Sequence, residues 1–208
     1  MRTAAWTDSV SVLDRVTAVL EAFGDDDGLG VSEIARRANL PKSTVSRLVN
    51  DLVRQRYLDR EGTRLHLGLK LFELGQAVER PMRLRNLARP VMVHLRTMTG
   101  ENVRLGVLDG DDVVLIAALS GSDDPSSAAH AGSRSPARDS ALGQAILTGS
   151  LASRRDDSTG LACVASPILS PGSRPVGAIG VVGPAHAIDE QRIEGLVRSA
   201  ATILSRLV

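Results

Sequence analysis

Cysteine and aromatic residues are scarce in this sequence. It contains one cysteine, Cys163, and only four aromatic residues, which make up 2% of its 208 residues. A single cysteine excludes an internal disulfide and a cysteine-rich zinc site. Because aromatic side chains are so few, the cores must be built from Leu, Val, Ile and Ala. Such cores are typical of a globular chain with 43% hydrophobic and 24% charged residues.

Long apolar runs are also missing. No stretch approaches the length needed to cross a bilayer, and the first residues lack the basic-then-apolar layout of a signal peptide. We therefore expect a cytoplasmic protein with no membrane partner. The chain has little excess charge of either sign, since its formal net charge is +1. What the charges contribute must come from where they lie along the chain.

The order of helix and strand patterns predicts an α+β protein with two domains joined by a helix. Helical patterns occupy the first part of the chain and strand patterns dominate the second. We predict a DNA-binding domain at 1–68, a linker helix at 69–80 and a second domain at 81–208, with Pro81 marking the boundary.

Three helices and a basic hairpin are predicted in the first domain. Helices are predicted at Val10–Phe23 and Ser32–Ala38, with Ser32 as N-cap and Asn39 in the left-handed conformation that ends a helix. In the next helix, PKSTVSRLVNDL, apolar residues follow helical spacing, with Val45, Leu48, Val49, Leu52 and Val53 on one face. Its opposite line carries Ser43, Arg47, Asn50 and Arg54, side chains that reach base edges and phosphates.

The hairpin follows this helix. Short strands at Tyr57-Leu58 and Leu65–Leu67, with a turn at Glu61-Gly62, predict a wing. Between Arg36 and Arg64 there are eight basic and three acidic residues, a local balance of +5. A basic patch confined to a helix-turn-helix and its wing favours duplex DNA as the partner. The predicted DNA-contacting residues are Arg36, Arg37, Lys42, Ser43, Thr44, Ser46, Arg47, Asn50, Arg60 and Arg64.

The second domain alternates helices and strands. We predict a helix at Leu84–Thr99, two strands within 102–119 around the turn Asp109–Asp111, and a loop at 120–136. A helix at Ser140–Leu147 and a loop at 148–160 follow. Two more strands (163–169 and 176–183) precede a final helix capped by Asp189.

Catalytic and metal-binding patterns are not found. The four histidines are scattered singly without metal-ligand spacing, and no G-x-S-x-G nucleophile elbow accompanies the serines. We expect no metal, no cofactor and no enzymatic activity.

Several segments together resemble the IclR family of bacterial transcription regulators. They are ARRANLPKSTVSRLVNDLVRQRYLDREGTRLHLGLKLFELG in the first half, then TGENVRLGVLDGDDVVLI, GSRSPARDSALGQAIL, CVASPI and RPVGAIGVVGP. The resemblance covers nearly the whole chain in the family's order. It implies a winged helix-turn-helix, a linker helix and a GAF-like effector-binding domain made of an antiparallel sheet with helices. It also implies a homodimer or tetramer that binds a palindromic operator, with repression one possible mode, and that responds to a small organic acid.

The resemblance also implies where the effector binds. Ser140, Ala141 and Leu142 match the start of the helix that approaches the ligand, and free N–H groups there suit a carboxylate. Cys163 matches a pocket cysteine of the family, and Gly180 and Val182 match its last strand.

Two departures from the family pattern bear on that pocket. Gly180 and Val182 stand where some members place serines that hold a carboxylate, and only 12 residues, Thr148–Thr159, separate the helix from the next strand. These departures favour a more apolar and open pocket, or a ligand held mostly by backbone contacts, as for an aromatic or apolar acid. Asp156 and Asp157 lie near an acidic pocket position of the family. The short segment also leaves open an alternative, a constitutive or architectural DNA-binding protein whose second domain only oligomerises.

Overall fold

The computed structural model describes residues 11–24, 26–121 and 129–208. The chain divides into two compact units between Val78 and Glu79. None of the helices in the described ranges is long and apolar enough to span a membrane.

The described residues of the N-terminal unit form four helices and one hairpin. Its elements are α1 (Val12–Glu21), α2 (Val31–Arg37), α3 (Lys42–Arg54), β1 (Leu58–Glu61), β2 (Arg64–Leu67) and α4 (Leu69–Gln76). Residues buried from α1 to β2 form one aliphatic core around Phe23, including Val19, Ile34, Val49 and Leu65. The helix-turn-helix and the wing therefore share a single core.

Helix boundaries in this unit follow local capping. Ser11 accepts a hydrogen bond from the Asp14 amide, and the Asp14 carboxylate accepts one from the Ser11 amide, so a reciprocal capping box opens α1. The predicted start at Val10 lies outside the described residues. The prediction of Ser32 as N-cap of α2 is wrong, because the bridge between Leu29 and Leu65 fixes the chain so that Gly30 takes the cap position. Asn39 has φ 51°, as predicted.

The turn of the wing lies one residue further along the chain than predicted. Glu61 pairs with Arg64, so the loop is Gly62-Thr63 rather than Glu61-Gly62. Gly62 has φ +56°, a conformation that glycine adopts without strain. The backbone of Leu65 exchanges two hydrogen bonds of 2.9 Å with Leu29, which ties the wing to the segment before α2.

The C-terminal unit is an antiparallel sheet covered by helices, which confirms the predicted α+β class. Among the residues that the structure describes, six strands run in the order β5-β4-β3-β8-β7-β6. The elements are α5 (Glu79–Thr99), β3 (Asn102–Asp109), β4 (Asp112–Leu119), β5 (Arg134–Pro136), a 3-10 turn (Ala137–Asp139), α6 (Ala141–Thr148), β6 (Ala152–Asp156), β7 (Leu161–Ser170), β8 (Arg174–Pro184) and α7 (Glu190–Ser205).

Helices cover both faces of this sheet. On one face, α5 and α7 pack against the side chains of Val103, Leu105, Val164, Ile179 and Val181. On the other face, α6 packs against smaller residues, including Ala165 and Ala178. Because side chains alternate along a strand, residues 102, 104 and 106 of β3 belong to the α6 face.

Three predictions for this unit need correction. Residues 152–156 form the edge strand β6 and not a loop, since their backbone pairs with β7 although their side chains are mostly polar and exposed. Part of the predicted loop 120–136 is the short strand β5, while residues 122–128 lie outside the described ranges. Pro81 lies in the first turn of α5, where proline costs no hydrogen bond, so the helix begins at Glu79 rather than at Leu84.

Candidate functional site

The exposed face of α3 carries the side chains predicted to contact DNA. Val45, Val49 and Leu52 are buried against the core, while the opposite line is exposed. The exposed line consists of Ser43, Ser46, Arg47, Asn50 and Arg54, and Thr44 is half-buried beside it. Arg47 makes no hydrogen bond or ion pair within the described part of the chain, so its guanidinium is available to a partner.

The wing contacts α3 through one side-chain pair. An Nη atom of Arg60 donates to Oδ1 of Asn50 over 3.2 Å, which places a wing arginine beside the recognition line. Arg64 instead donates to the Gly28 carbonyl over 2.8 Å and so helps to hold the wing in place. Lys42 is exposed at the start of α3.

Arg36 and Arg37 are both engaged inside the N-terminal unit. Glu33 accepts hydrogen bonds from both guanidinium groups, and together they lower the pKa of its carboxyl group to about 2. Arg37 also donates to the Ala22 carbonyl at 3.1 Å and contacts Asp26. Arg37 therefore stabilises the junction of α1 and α2, while the guanidinium of Arg36 remains exposed.

A cavity of about 310 Å³ lies between the sheet and the start of α6. That volume is at the lower end of the range for small-molecule sites, roughly 300–1,000 Å³. It is lined by residues of β3, β4, β5, β6, β7, β8 and α6, and α6 is held close to the 3-10 turn at Gly143. A Cβ on Gly143 would lie 2.1 Å from the Ala137 carbonyl oxygen, so only glycine permits this approach.

Five of the six residues predicted to contact an effector line this cavity. They are Ser140, Ala141, Leu142, Cys163 and Val182. Gly180 does not line it, because a Cβ there would meet Leu142 Cδ2 at 3.3 Å and the Val164 carbonyl oxygen at 3.0 Å. Gly180 serves the packing beneath α6 and is not part of the cavity wall.

Ser140 and Cys163 contribute neutral groups to the cavity. Ser140 caps α6, since its Oγ accepts a hydrogen bond from the Gly143 amide at 3.0 Å. Burial raises the pKa of the Cys163 thiol to about 12, so the thiol stays protonated at neutral pH. Neither group supplies a charge that could select an ionised ligand.

The charged residues of the cavity were missed by the sequence predictions, apart from Asp156. Arg104, Arg134, Arg154, Asp139 and Asp156 all line it. Asp156 accepts hydrogen bonds from the Ser158 amide and hydroxyl, which lower its pKa. Within the described ranges, no group of three or more His, Cys, Asp or Glu side chains is arranged to hold a metal ion.

The two units together define the class of two-domain winged helix-turn-helix proteins whose second domain holds a cavity. Comparison with family models agrees with this class in both halves. Residues 12–62 match the IclR helix-turn-helix domain, and residues 76–150 match the C-terminal domain of bacterial transcriptional regulators of the IclR type. The second match ends where the short connection to β6 begins.

The chain is also similar to curated helix-turn-helix transcriptional regulators. The transcriptional regulator KdgR of Dickeya chrysanthemi is 32% identical over 142 residues, which cover 67% of this chain and 47% of that protein. The repressor AllR of Escherichia coli K12 is 26% identical over 242 aligned positions, covering 93% of this chain and 88% of AllR. The chain spans about half the length of the first of these relatives.

Solved structures match nearly the whole chain. An IclR homologue from Microbacterium hydrocarbonoxydans, crystallised with 4-hydroxybenzoate, has 25% identity and a TM-score of 0.83, covering 95% of this chain and 100% of that one. Thermotoga maritima IclR, at 22% identity, shares the fold with a TM-score of 0.76 over 96% of this chain and 99% of its own. The chain belongs to the IclR family of bacterial transcription regulators.

Proposed function

We propose that the protein is a DNA-binding transcription regulator controlled by a small organic effector. The observation that carries this proposal is the exposed polar line of α3, with Arg47 unengaged and the wing residue Arg60 reaching Asn50 beside it. A helix of this kind presents hydrogen-bonding side chains to base edges in the major groove, while the wing contacts the flanking backbone.

We propose that the protein is a homodimer or tetramer and that its operator is palindromic. The N-terminal unit leaves large apolar side chains exposed, including Leu13 (76%), Leu69 (57%) and Phe72 (62%). Exposed apolar surface of this kind marks protein–protein contact sites. Two recognition helices brought together by such contacts would bind half-sites about one helical turn, or a multiple of it, apart.

The cavity favours an effector-controlled regulator over a constitutive DNA-binding protein. A cavity is present in the structure although the connection 148–159 is short. Part of this connection forms strand β6, and residues of β6 line one side of the cavity. The Microbacterium relative was crystallised with 4-hydroxybenzoate, which supports an aromatic acid as a candidate class. The candidate contacts are Ser140, Ala141, Leu142, Cys163 and Val182.

DNA binding is tested by fluorescence anisotropy with DNA from the protein's own upstream region and with unrelated DNA. We expect tighter binding to the upstream fragment. We also expect affinity to fall steeply with added salt, because each neutralised phosphate contributes about −0.9 to the slope of log K against log salt. Equal affinity for both fragments, or a flat salt response, would reject the proposed interface.

A further inference from the structure

Arg104 lies on the sheet face that α6 covers. It pairs with Ala118 on β4 and with Gly180 on β8, and cross-strand partners project to the same face. Its neighbours Val103 and Leu105 belong to the opposite core, against α5 and α7. The Arg104 side chain therefore lines the cavity beneath α6.

The guanidinium of Arg104 is not neutralised by the part of the protein that the structure describes. Its Nε is buried and has no hydrogen-bond partner there, and burial lowers its pKa. An arginine side chain nevertheless keeps its proton in proteins. A partly buried cation that lacks a partner is costly to desolvate, so this position is suited to a ligand that supplies the missing negative charge.

The other charged groups of the cavity are placed differently. Arg134 makes ion pairs with Asp109 and Asp112. Asp156 is exposed and hydrogen-bonded to Ser158, and Arg154 and Asp139 are also exposed, so solvent screens their charges. Arg104 is thus the partly buried cation of the described lining, and it has no ion pair there.

Backbone N–H groups lie on another wall of the same cavity. At the start of α6, the Gly143 amide donates to the Ser140 side chain and the Gln144 amide donates to the Ser140 carbonyl. The amides of Ala141 and Leu142 have no such partner within the described residues. Unsatisfied amides at a helix N-terminus attract negative charge.

We propose that Arg104 binds the carboxylate of the effector and selects organic anions over neutral compounds of the same shape. The start of α6 shares the carboxylate, and the apolar part of the ligand packs against Leu115, Leu142 and Val182. This inference rests on the proposed regulator function, because it assigns the charge of the ligand and the residue that recognises it. Arg104 was absent from the effector contacts expected from sequence.

The test compares matched acid and amide probes on the full chain. Benzoate and benzamide, 4-hydroxybenzoate and 4-hydroxybenzamide, and phenylacetate and phenylacetamide are titrated by calorimetry and thermal shift. We expect at least one acid to bind while its amide binds at least about 10-fold more weakly. If every acid fails to bind at millimolar concentration, or if amides bind as well as acids, the proposal is overturned.

Substitutions of Arg104 test whether this side chain causes the preference for acids over amides. Arg104→Gln should raise the Kd of the acid by about 10- to 100-fold and leave that of the amide unchanged. Arg104→Lys, which keeps the charge, should recover part of the affinity. Arg85→Gln, an exposed arginine of α5 outside the cavity, is the matched control and should bind as the wild type does.

Two further measurements separate the possible failures. Without ligand, Arg104→Gln should melt at the wild-type temperature or above it, because the substitution removes a partly buried charge that has no ion-pair partner in the described residues. A large fall in Tm would instead indicate a structural role for Arg104 and contradict the proposal. If the protein binds its upstream DNA and responds only to neutral compounds, this inference fails while the regulator function stands. If acids bind but the upstream DNA does not, the regulator function fails while the role of Arg104 in binding organic anions stands.

Discussion

Replacing Arg47 with alanine tests the α3 interface at one side chain. Arg47 is exposed and makes no hydrogen bond or ion pair within the described part of the chain, so the folded domain loses nothing when it is truncated. Surface substitutions of this kind change stability by about 0.5 kcal/mol or less. Any large effect on binding would therefore report a contact with DNA.

The expected magnitude follows from the contact that an arginine makes with a base edge. A bidentate pair with guanine contributes roughly 1–3 kcal/mol of discrimination. A dimer on a symmetric operator would lose the contact twice, so the total is about 2–6 kcal/mol if the two sites are independent. At the lower limit, affinity for the operator falls by about 30-fold.

The assay is fluorescence anisotropy on the upstream operator and on its single-base variants. Arg47→Ala should weaken binding and also relax the preference at one base pair of each half-site. Arg85→Ala is the matched control, since Arg85 is an exposed arginine of α5 in the other unit, and it should bind DNA as the wild type does. Wild-type affinity together with unchanged base preference in Arg47→Ala would refute the assignment.

Three other predictions concern assembly, the cavity thiol and acid stability. Phe72→Asp should shift the protein towards monomers in sedimentation velocity, because Phe72 is 62% exposed on α4; unchanged association would place the interface elsewhere. Cys163 should react with iodoacetamide at pH 8 roughly 10³-fold more slowly in the folded protein than in denaturant, since its pKa is about 12; similar rates would contradict its burial. The pKa of Glu33 is lowered from 4.5 to about 2, so its carboxylate stabilises the fold above pH 4.5, and this contribution is lost as the pH falls towards 2. The Tm difference between wild type and Glu33→Gln should therefore shrink over that window, whereas a constant difference would be inconsistent with the ion pairs.

The sequence predicted the parts of the fold that depend on local pattern. Helical spacing of apolar residues gave the buried face of α3, and the left-handed preference of asparagine gave the end of α2 at Asn39. Gly110 lies in the predicted turn between β3 and β4, with φ +62°. Each of these signals is contained within a few neighbouring residues.

The features that could not be predicted from the sequence depend on pairing with residues that are distant in the chain. Strand β6 has the sequence ASRRD, which lacks apolar alternation, and it forms because its backbone completes the edge of β7. The sequence predictions treated Arg104 only as part of an apolar strand. The available signal was an arginine between Val103 and Leu105, in a strand whose neighbours on both sides are apolar. Gly180 matched the family position by sequence, but the side chain of Leu142 keeps it from the cavity.

We propose that a small molecule in the C-terminal cavity controls DNA binding by the N-terminal unit. It is tested most directly by a mobility-shift titration with upstream DNA, with and without the acid and amide probes. We expect at least one acid to move the midpoint of the shift and its amide to leave it unchanged. Arg104→Gln should abolish the response while still binding DNA. Tight DNA binding that no compound alters would contradict control by the cavity and indicate that the second domain serves assembly alone.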